Sequence, residues 1–228
     1  MIWEVKMGFQ FDFFINVFRE ILPYLKYTIL IAIAAFFLSI IFSLIISTCM
    51  ILNVKGLSKF FKLYISFFRS TPLISQLFFF YFGLPQIFEG ISKLNSMTVL
   101  ILILSMNEAA FMAEIIRGAF SSIPKGQLDA AKSIGMTTKQ AMQHVIIPQA
   151  IRIALPGLSN SMICLTKGSA VGFTVGVMEM MTAAKIVTAR TYRTMEVYVA
   201  VLFIYWAIVV VITKFQTRLE KRLNRGYM

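Results

Sequence analysis

Residues 27–52 form an unbroken run of 26 positions without one charged side chain. At about 1.5 Å of rise per residue, a helix over this run exceeds the roughly 30 Å of hydrocarbon in a bilayer. Composition agrees, since 58 % hydrophobic and 14 % charged residues is not the balance of a soluble domain. The chain therefore reads as an all-α membrane protein, a single transmembrane domain over residues 1–228.

Four further apolar stretches follow: 63–84, interrupted by Arg69 and Pro72; 97–120; 150–178, interrupted by Pro156 and Lys167; and 195–213. Proline and glycine are tolerated in such segments because neighbouring helices and hydroxyl side chains satisfy the freed backbone groups. The expectation is five transmembrane helices, with a polar segment over 121–149. No cleaved signal is expected, because Glu4, Asp12 and Glu20 precede a full-length span. Cys49 and Cys164 lie far apart in apolar stretches and read as small buried hydrophobes, without a disulfide or metal cluster.

Five spans put the termini on opposite sides. One side collects Lys55, Lys59, Lys62, Arg117, Lys125, Lys132, Lys139, Arg152, Lys214, Arg218, Lys221, Arg222 and Arg225, which is 13 of the 22 basic residues. On the other side, Lys6, Arg19, Lys26, Lys93, Lys185, Arg190 and Arg193 are nearly cancelled by Glu4, Asp12, Glu20, Glu89, Glu179 and Glu196. The excess of Lys and Arg marks the cytoplasmic face, so the N-terminus is expected outside and the C-terminus in the cytoplasm. The net charge of +12 is thereby explained by membrane lipid, without nucleic acid.

The segment 121–149 holds breaks at Pro124, Gly126, Gly135 and Pro148, which predicts two short helices joined at a glycine. Leu128, Ala131 and Ile134 recur on one face, and so short a helix needs a partner surface. Gly126, four residues, then Ala131, Lys132 and Ser133 fall short of a phosphate loop: the second glycine is missing and no strand precedes it. ATP binding by this chain is not expected.

Asp129, Ala130 and Ala131, then three residues, Gly135, nine residues, Val145, one residue, and Ile147 with Pro148 resemble the E-A-A-x3-G-x9-I-x-L-P signature of importer-type ABC transporter permeases. Asp for Glu, Val for Ile and Ile for Leu are its departures; the literal EAA at 108–110 is wrongly spaced from Gly118. "FFRSTPLISQLFFFYFGLP" (67–85), "AEIIRGAFSSIPKGQ" (113–127), "VIIPQAIRIALPGLSNS" (145–161) and "MEVYVAVLFIYW" (195–206) are similar to the polar amino-acid subfamily, which includes histidine, glutamine, arginine and cystine types.

The resemblance implies a type I ABC importer permease fold in a bacterial cell membrane. It also implies a cytoplasmic coupling helix, carried by Gln127, Asp129, Ala130, Ala131, Ile134 and Gly135, that docks on a separate ATPase subunit. Small Ala130 and Ala131 would allow close approach and Gly135 the turn. ATP and Mg would be used by that ATPase, with no cofactor held here; an extracytoplasmic solute-binding protein and a second permease copy, identical or related, complete the expected assembly.

Charges inside the bilayer are costly enough to need a reason. The candidate substrate pathway comprises Arg69, Thr71, Gln76, Asn107, Glu108, Ser161, Thr166, Lys167 and Ser169. Glu114 and Arg117, three apart, read as a structural clamp. Arg69 before the break at Pro72 is open to pathway lining or to packing, and Glu108 to inter-helix bonding or pathway lining. Lys167 is the strongest candidate for the route. Relatives commonly read K-D-[TS]-S where this chain has Lys167, Gly168, Ser169 and Ala170, and loss of that acid favours a substrate bearing a carboxylate over a purely cationic one. Gly168, Gly172 and Gly176 read as a close-packing stripe. His144 has no metal-ligand companions. "GVMEMM" (176–181) and "IYW" (204–206) are similar to the cystine and sulfur amino-acid branch. The rival reading is an ion channel or channel regulator, which would need no ATPase; an enzyme is disfavoured by the lack of any catalytic constellation.

Overall fold

The computed structural model describes residues 8–224, so Glu4, Lys6 and Arg225 of the charge count lie outside the described residues. Every regular element among them is helical. Helix α1 (Phe11–Ile21) is strongly amphipathic and buries Val17 and Ile21. A 3-10 turn with Pro23 leads into α2 (Leu25–Ile51), which is apolar all round. That is the pattern of a helix with protein on one side and lipid on the other.

Helix α3 (Leu57–Ser70) follows Gly56, whose φ of +82° suits glycine. It stops at Thr71, which is extended, as the residue before a proline tends to be. Helix α4 (Leu73–Phe78) then resumes and relaxes into a π turn (Phe79–Gly83) and a 3-10 turn, before the short α5 (Glu89–Ser92). The expected span over 63–84 is thus two pieces meeting at Thr71–Pro72. Helix α6 (Ser96–Ser122) opens on Asn95, whose side chain accepts from the Thr98 amide at 2.8 Å. It makes the most extensive contact in the fold, with α2. Small residues are buried on both helices, Ala32, Ala35 and Ser39 of α2 and Ser105, Ala109 and Ala113 of α6. The Ser39 hydroxyl bridges them, bonding the Ala35 carbonyl at 2.7 Å and the Ser105 carbonyl at 3.2 Å. Small residues let membrane helices approach closely where no hydrophobic force drives them together.

The polar segment folds as α7 (Lys125–Ser133) and α8 (Thr138–Ala141), with a capping box between Thr137 and Gln140. A π turn (Met142–Ile146) passes into α9 (Ile147–Gly168). The expected single span over 150–178 does not persist as one helix. After Gly168 the chain tightens to a 3-10 segment (Ser169–Val175), turns at Gly176 with φ +73°, and re-enters as α10 (Met180–Thr191). Gly176 therefore serves a left-handed turn, not the packing stripe, and a Cβ there would meet nothing within 4 Å. Gly168 and Gly172 do pack closely: a Cβ would stand 3.2 Å from a Leu104 methyl and 2.6 Å from a Leu100 methyl. Helix α11 (Thr194–Asn224) closes the described chain.

Three helical stretches are long and apolar enough to cross a membrane: Phe11–Ile51, Ser96–Ser121 and Thr194–Arg222. The pair Thr138–Val175 and Met180–Thr191, bent by 48°, makes a fourth if taken as one. The molecule is a multi-pass membrane protein.

Candidate functional site

A cavity of about 380 Å³ opens between α6 and α9. On α6, Leu104, Asn107, Glu108, Phe111 and Ile115 line it at helical spacing. On α9, Gly157, Asn160, Ser161, Cys164, Leu165 and Gly168 do the same, and Leu73 of α4 completes the wall. The room exists partly because residue 157 is glycine: a Cβ there would stand 2.9 Å from an Ile115 methyl. The Ser161 hydroxyl donates to the Gly157 carbonyl at 3.5 Å, and its residue shares the cavity wall with Glu108. Three predicted pathway residues, Asn107, Glu108 and Ser161, thus share one cavity, and Glu108 faces it.

Cys164 corrects an expectation. It is exposed, and Cys49 only half-buried, because position 164 falls on the cavity stripe of α9. The stripe at 157, 160–161, 164–165 and 168 was visible as a 3–4 periodicity, yet Asn160 and Cys164 are too ordinary in type to be singled out. Lys167 is exposed one turn further on, without an ion pair to any described residue.

Thr166 and Ser169 are not on this wall. Both are fully buried. Thr166 donates to the Met162 carbonyl at 2.8 Å and Ser169 to the Thr166 carbonyl at 2.8 Å. A hydroxyl in an apolar helix satisfies itself on the preceding turn, and these two spend their bonds there.

Beside the cavity, the break between α3 and α4 is held by side chains. Pro72 has no N–H, so the Phe68 carbonyl loses its helical donor. The Gln76 amide donates to it at 3.1 Å and the Asn107 amide at 3.0 Å. Asn107 also donates to Gln76 Oε1 at 3.0 Å, and Gln76 donates to the Thr71 hydroxyl at 2.8 Å. Gln76, 3 % exposed, and Thr71 are therefore braces of the break. Arg69 lies 3.8 Å from Glu114 and its guanidinium 5.4 Å from the Phe111 ring centre. Glu114 takes Arg117 bidentately at 2.9 and 2.8 Å, so the clamp has three members, and Arg69 packs on α6.

The polar segment shows which of its residues a partner could touch. Gln127, Asp129, Ala130 and Gly135 are exposed, and Ile134 is 75 % exposed. Ala131 is buried, 5 % exposed, on the inner face that Leu128 shares in packing against Ile123, Ile146 and Phe120. The expected face of Leu128, Ala131 and Ile134 breaks because α7 ends at Ser133. Met136 N–H then bonds the Ala131 carbonyl at 3.2 Å and Gly135 N–H the Lys132 carbonyl at 2.9 Å. This is a Schellman cap, with Gly135 at φ +86° as its left-handed residue. Ile134 is thereby turned outward.

One acid of the outer-side charge count is no surface charge. Glu179 is fully buried. It caps α10 by accepting from the Thr182 amide at 2.9 Å, and takes the hydroxyls of Thr28 and Tyr205 at 3.2 Å each. No metal-binding cluster of His, Cys, Asp and Glu occurs among the described residues.

The chain is thus an all-helical membrane protein with a mostly apolar cavity between two helices that carries Asn107, Glu108, Asn160 and Ser161, a braced proline break and an exposed capped helix. The chain belongs to the family of binding-protein-dependent transport system inner membrane components, whose model matches residues 39–225. It is 40 % identical to the probable amino-acid ABC transporter permease protein PatM of Vibrio harveyi, over 97 % of this chain and 100 % of that one. It is 32 % identical to the L-cystine transport system permease protein TcyL of Bacillus subtilis, over 94 % and 93 %. Other relatives are named for glutamine and for arginine. A solved structure of an amino acid ABC transporter with histidines superposes with a TM-score of 0.87 at 31 % identity, over 95 % of this chain and 100 % of that one.

Proposed function

We propose that this chain is the membrane subunit of an ATP-driven importer of a polar amino acid, with the α6–α9 cavity on the substrate route and α7 as its contact with a separate ATPase. The observation that carries this reading is likeness to amino-acid permeases over nearly the whole chain, in a molecule whose cavity wall bears the carboxylate of Glu108. Five spans complete the topology, with α3 and α4 forming one broken span, the N-terminus outside and the C-terminus cytoplasmic. Five are too few to enclose a pathway, so two permeases, identical or related, face each other. An extracytoplasmic binding protein delivers the substrate, and ATP with Mg is consumed in the partner ATPase. Alternating access follows from ATPase dimerisation pulling on α7.

At the coupling contact, Gln127, Asp129, Ala130 and Ile134 meet the ATPase, Gly135 holds the cap, and Ala131 supports the helix from beneath. In reconstituted vesicles with the cognate ATPase, Ala130→Arg and Ile134→Asp should each abolish ATP-driven uptake while the protein still inserts. Unchanged coupling in both would sink the assignment.

The substrate bears a carboxylate that is drawn to Lys167, which has no acidic neighbour at position 168. Cystine or another sulfur amino acid is favoured by likeness to the cystine permease and by the 176–181 and 204–206 stretches. Uptake of labelled cystine, glutamine, glutamate and arginine, together with ligand binding to the cognate binding protein, tests this. Preference for arginine overturns it.

A further inference from the structure

Position 72 is proline, so the carbonyl of Phe68 faces the interior of a membrane protein without its backbone donor. A buried carbonyl in that situation must find another donor. It finds two, and both are side-chain amides: Gln76, from the helix after the break, at 3.1 Å, and Asn107, from the wall of the cavity, at 3.0 Å. The Phe68 oxygen only accepts, so it fixes which end of the Asn107 amide points at it. The amide nitrogen is committed to Phe68 and to Gln76 Oε1, and its oxygen has no partner among the described residues. Asn107 precedes Glu108 and shares the cavity lining with Phe111, one turn on, over which Arg69 lies. The end of α3 is therefore tied to α6 at two successive turns, and both ties run through cavity residues.

We propose that the Asn107–Gln76 amide pair is a latch across a hinge at Thr71–Pro72, with Asn107 as a positioning residue that makes the break and the cavity wall move as one. A side-chain amide can leave Phe68 and re-form its bond elsewhere, which a backbone N–H in a continuous helix cannot do. Proline at 72 thus converts an obligatory helical bond into a releasable one. Asn107 acts through Phe68 and Gln76, and its loss frees the hinge without removing the carboxylate of Glu108. This inference rests on the importer reading.

The test uses the full permease with its ATPase and binding protein in vesicles, measuring uptake and ATP hydrolysis with and without substrate. Asn107→Ala should raise substrate-independent hydrolysis and cut substrate stimulation roughly tenfold. Pro72→Ala supplies the missing N–H, which reaches the Phe68 carbonyl once Thr71 turns from extended to helical. Combined with Asn107→Ala and Gln76→Ala, it should rescue thermal stability lost in the double variant, yet slow uptake, because the hinge has become a helix. A Pro72→Ala protein that transports at the wild-type rate, or an Asn107→Ala protein whose hydrolysis stays tightly coupled, overturns the latch. Absence of ATP-driven amino acid uptake by the unaltered complex would instead defeat the importer reading.

Discussion

The carboxylate of Glu179 accepts the hydroxyl of Thr28 at 3.2 Å, joining positions 151 apart in the chain. It is also the N-cap of α10 and the acceptor for Tyr205 of α11. One side chain therefore ties α2, α10 and α11 together. Glu179→Ala removes the cap and leaves two buried hydroxyls without their acceptor, a loss of about 2–4 kcal/mol. Glu179→Gln keeps an acceptor for the Thr182 amide and should lose less than half as much. Thermal unfolding in detergent compares them; equal midpoints for the two variants would mean that the carboxylate's bonds do not hold this corner.

Gly135 is the left-handed residue of the Schellman cap, at φ +86° with open space where a Cβ would go. The expected cost of Gly135→Ala is therefore backbone strain alone, about 1–2 kcal/mol, confined to the end of α7. Hydrogen exchange should show the amides of Gly135 and Met136 losing protection while the membrane helices keep theirs. Gly135→Asn should fall between, since Asn tolerates that conformation. A variant in which α7 keeps full protection would show that the cap does not depend on glycine.

The glycines differ in what a methyl would meet. At Gly172 it would lie 2.6 Å from a Leu100 methyl and 3.2 Å from Val177 Cβ, whereas at Gly126 nothing lies within 4 Å. Gly172→Ala should destabilise by about 1–3 kcal/mol through overpacking. Gly126→Ala, inside α7, should stabilise that helix by roughly 0.5–1 kcal/mol. Melting temperatures in one detergent decide the matter, and opposite signs are the expected result.

Helix α1 is fastened by burial more than by charge. Glu20 meets Arg190 at 2.6 Å, but both side chains are largely exposed, and such pairs contribute about 0–1 kcal/mol. Ile21, fully buried beside Val187 and Val201, should lose about 2–5 kcal/mol as Ile21→Ala. Limited proteolysis of α1 should accelerate far more in Ile21→Ala than in Glu20→Ala. Comparable rates would assign the fastening to the ion pair.

Periodicity and helix-stop chemistry carried much of the fold. The uncharged run at 27–52 became α2, the stretch at 97–120 became α6, and the breaks at Pro124 and Gly135 did bound a short helix. The fourth stretch stays helical as far as Val175, and only its last residues enter the turn that its composition does not mark. The Gly176 turn is a backbone choice that leaves no trace in hydropathy. Thr166 and Ser169 show the same limit: their hydroxyls are legible as polar groups beside Lys167, but not that each bonds a carbonyl of its own chain one turn back.

What the sequence by itself determined was the solvent of this protein and the sites where its backbone must bend. Hydropathy acts over a whole segment, and proline and glycine act on their own peptide bonds, so neither needs a distant partner to be read. Tertiary structure alone decided which side chains meet. That Asn107 completes the carbonyl orphaned by Pro72, that Glu108 and Ser161 face one cavity while Ser169 turns away, and that Glu179 is buried rather than counted among surface charges all depend on how helices distant in sequence are rotated against each other. A rotation of one residue, about 100°, would replace every one of these contacts without altering a letter of the pattern.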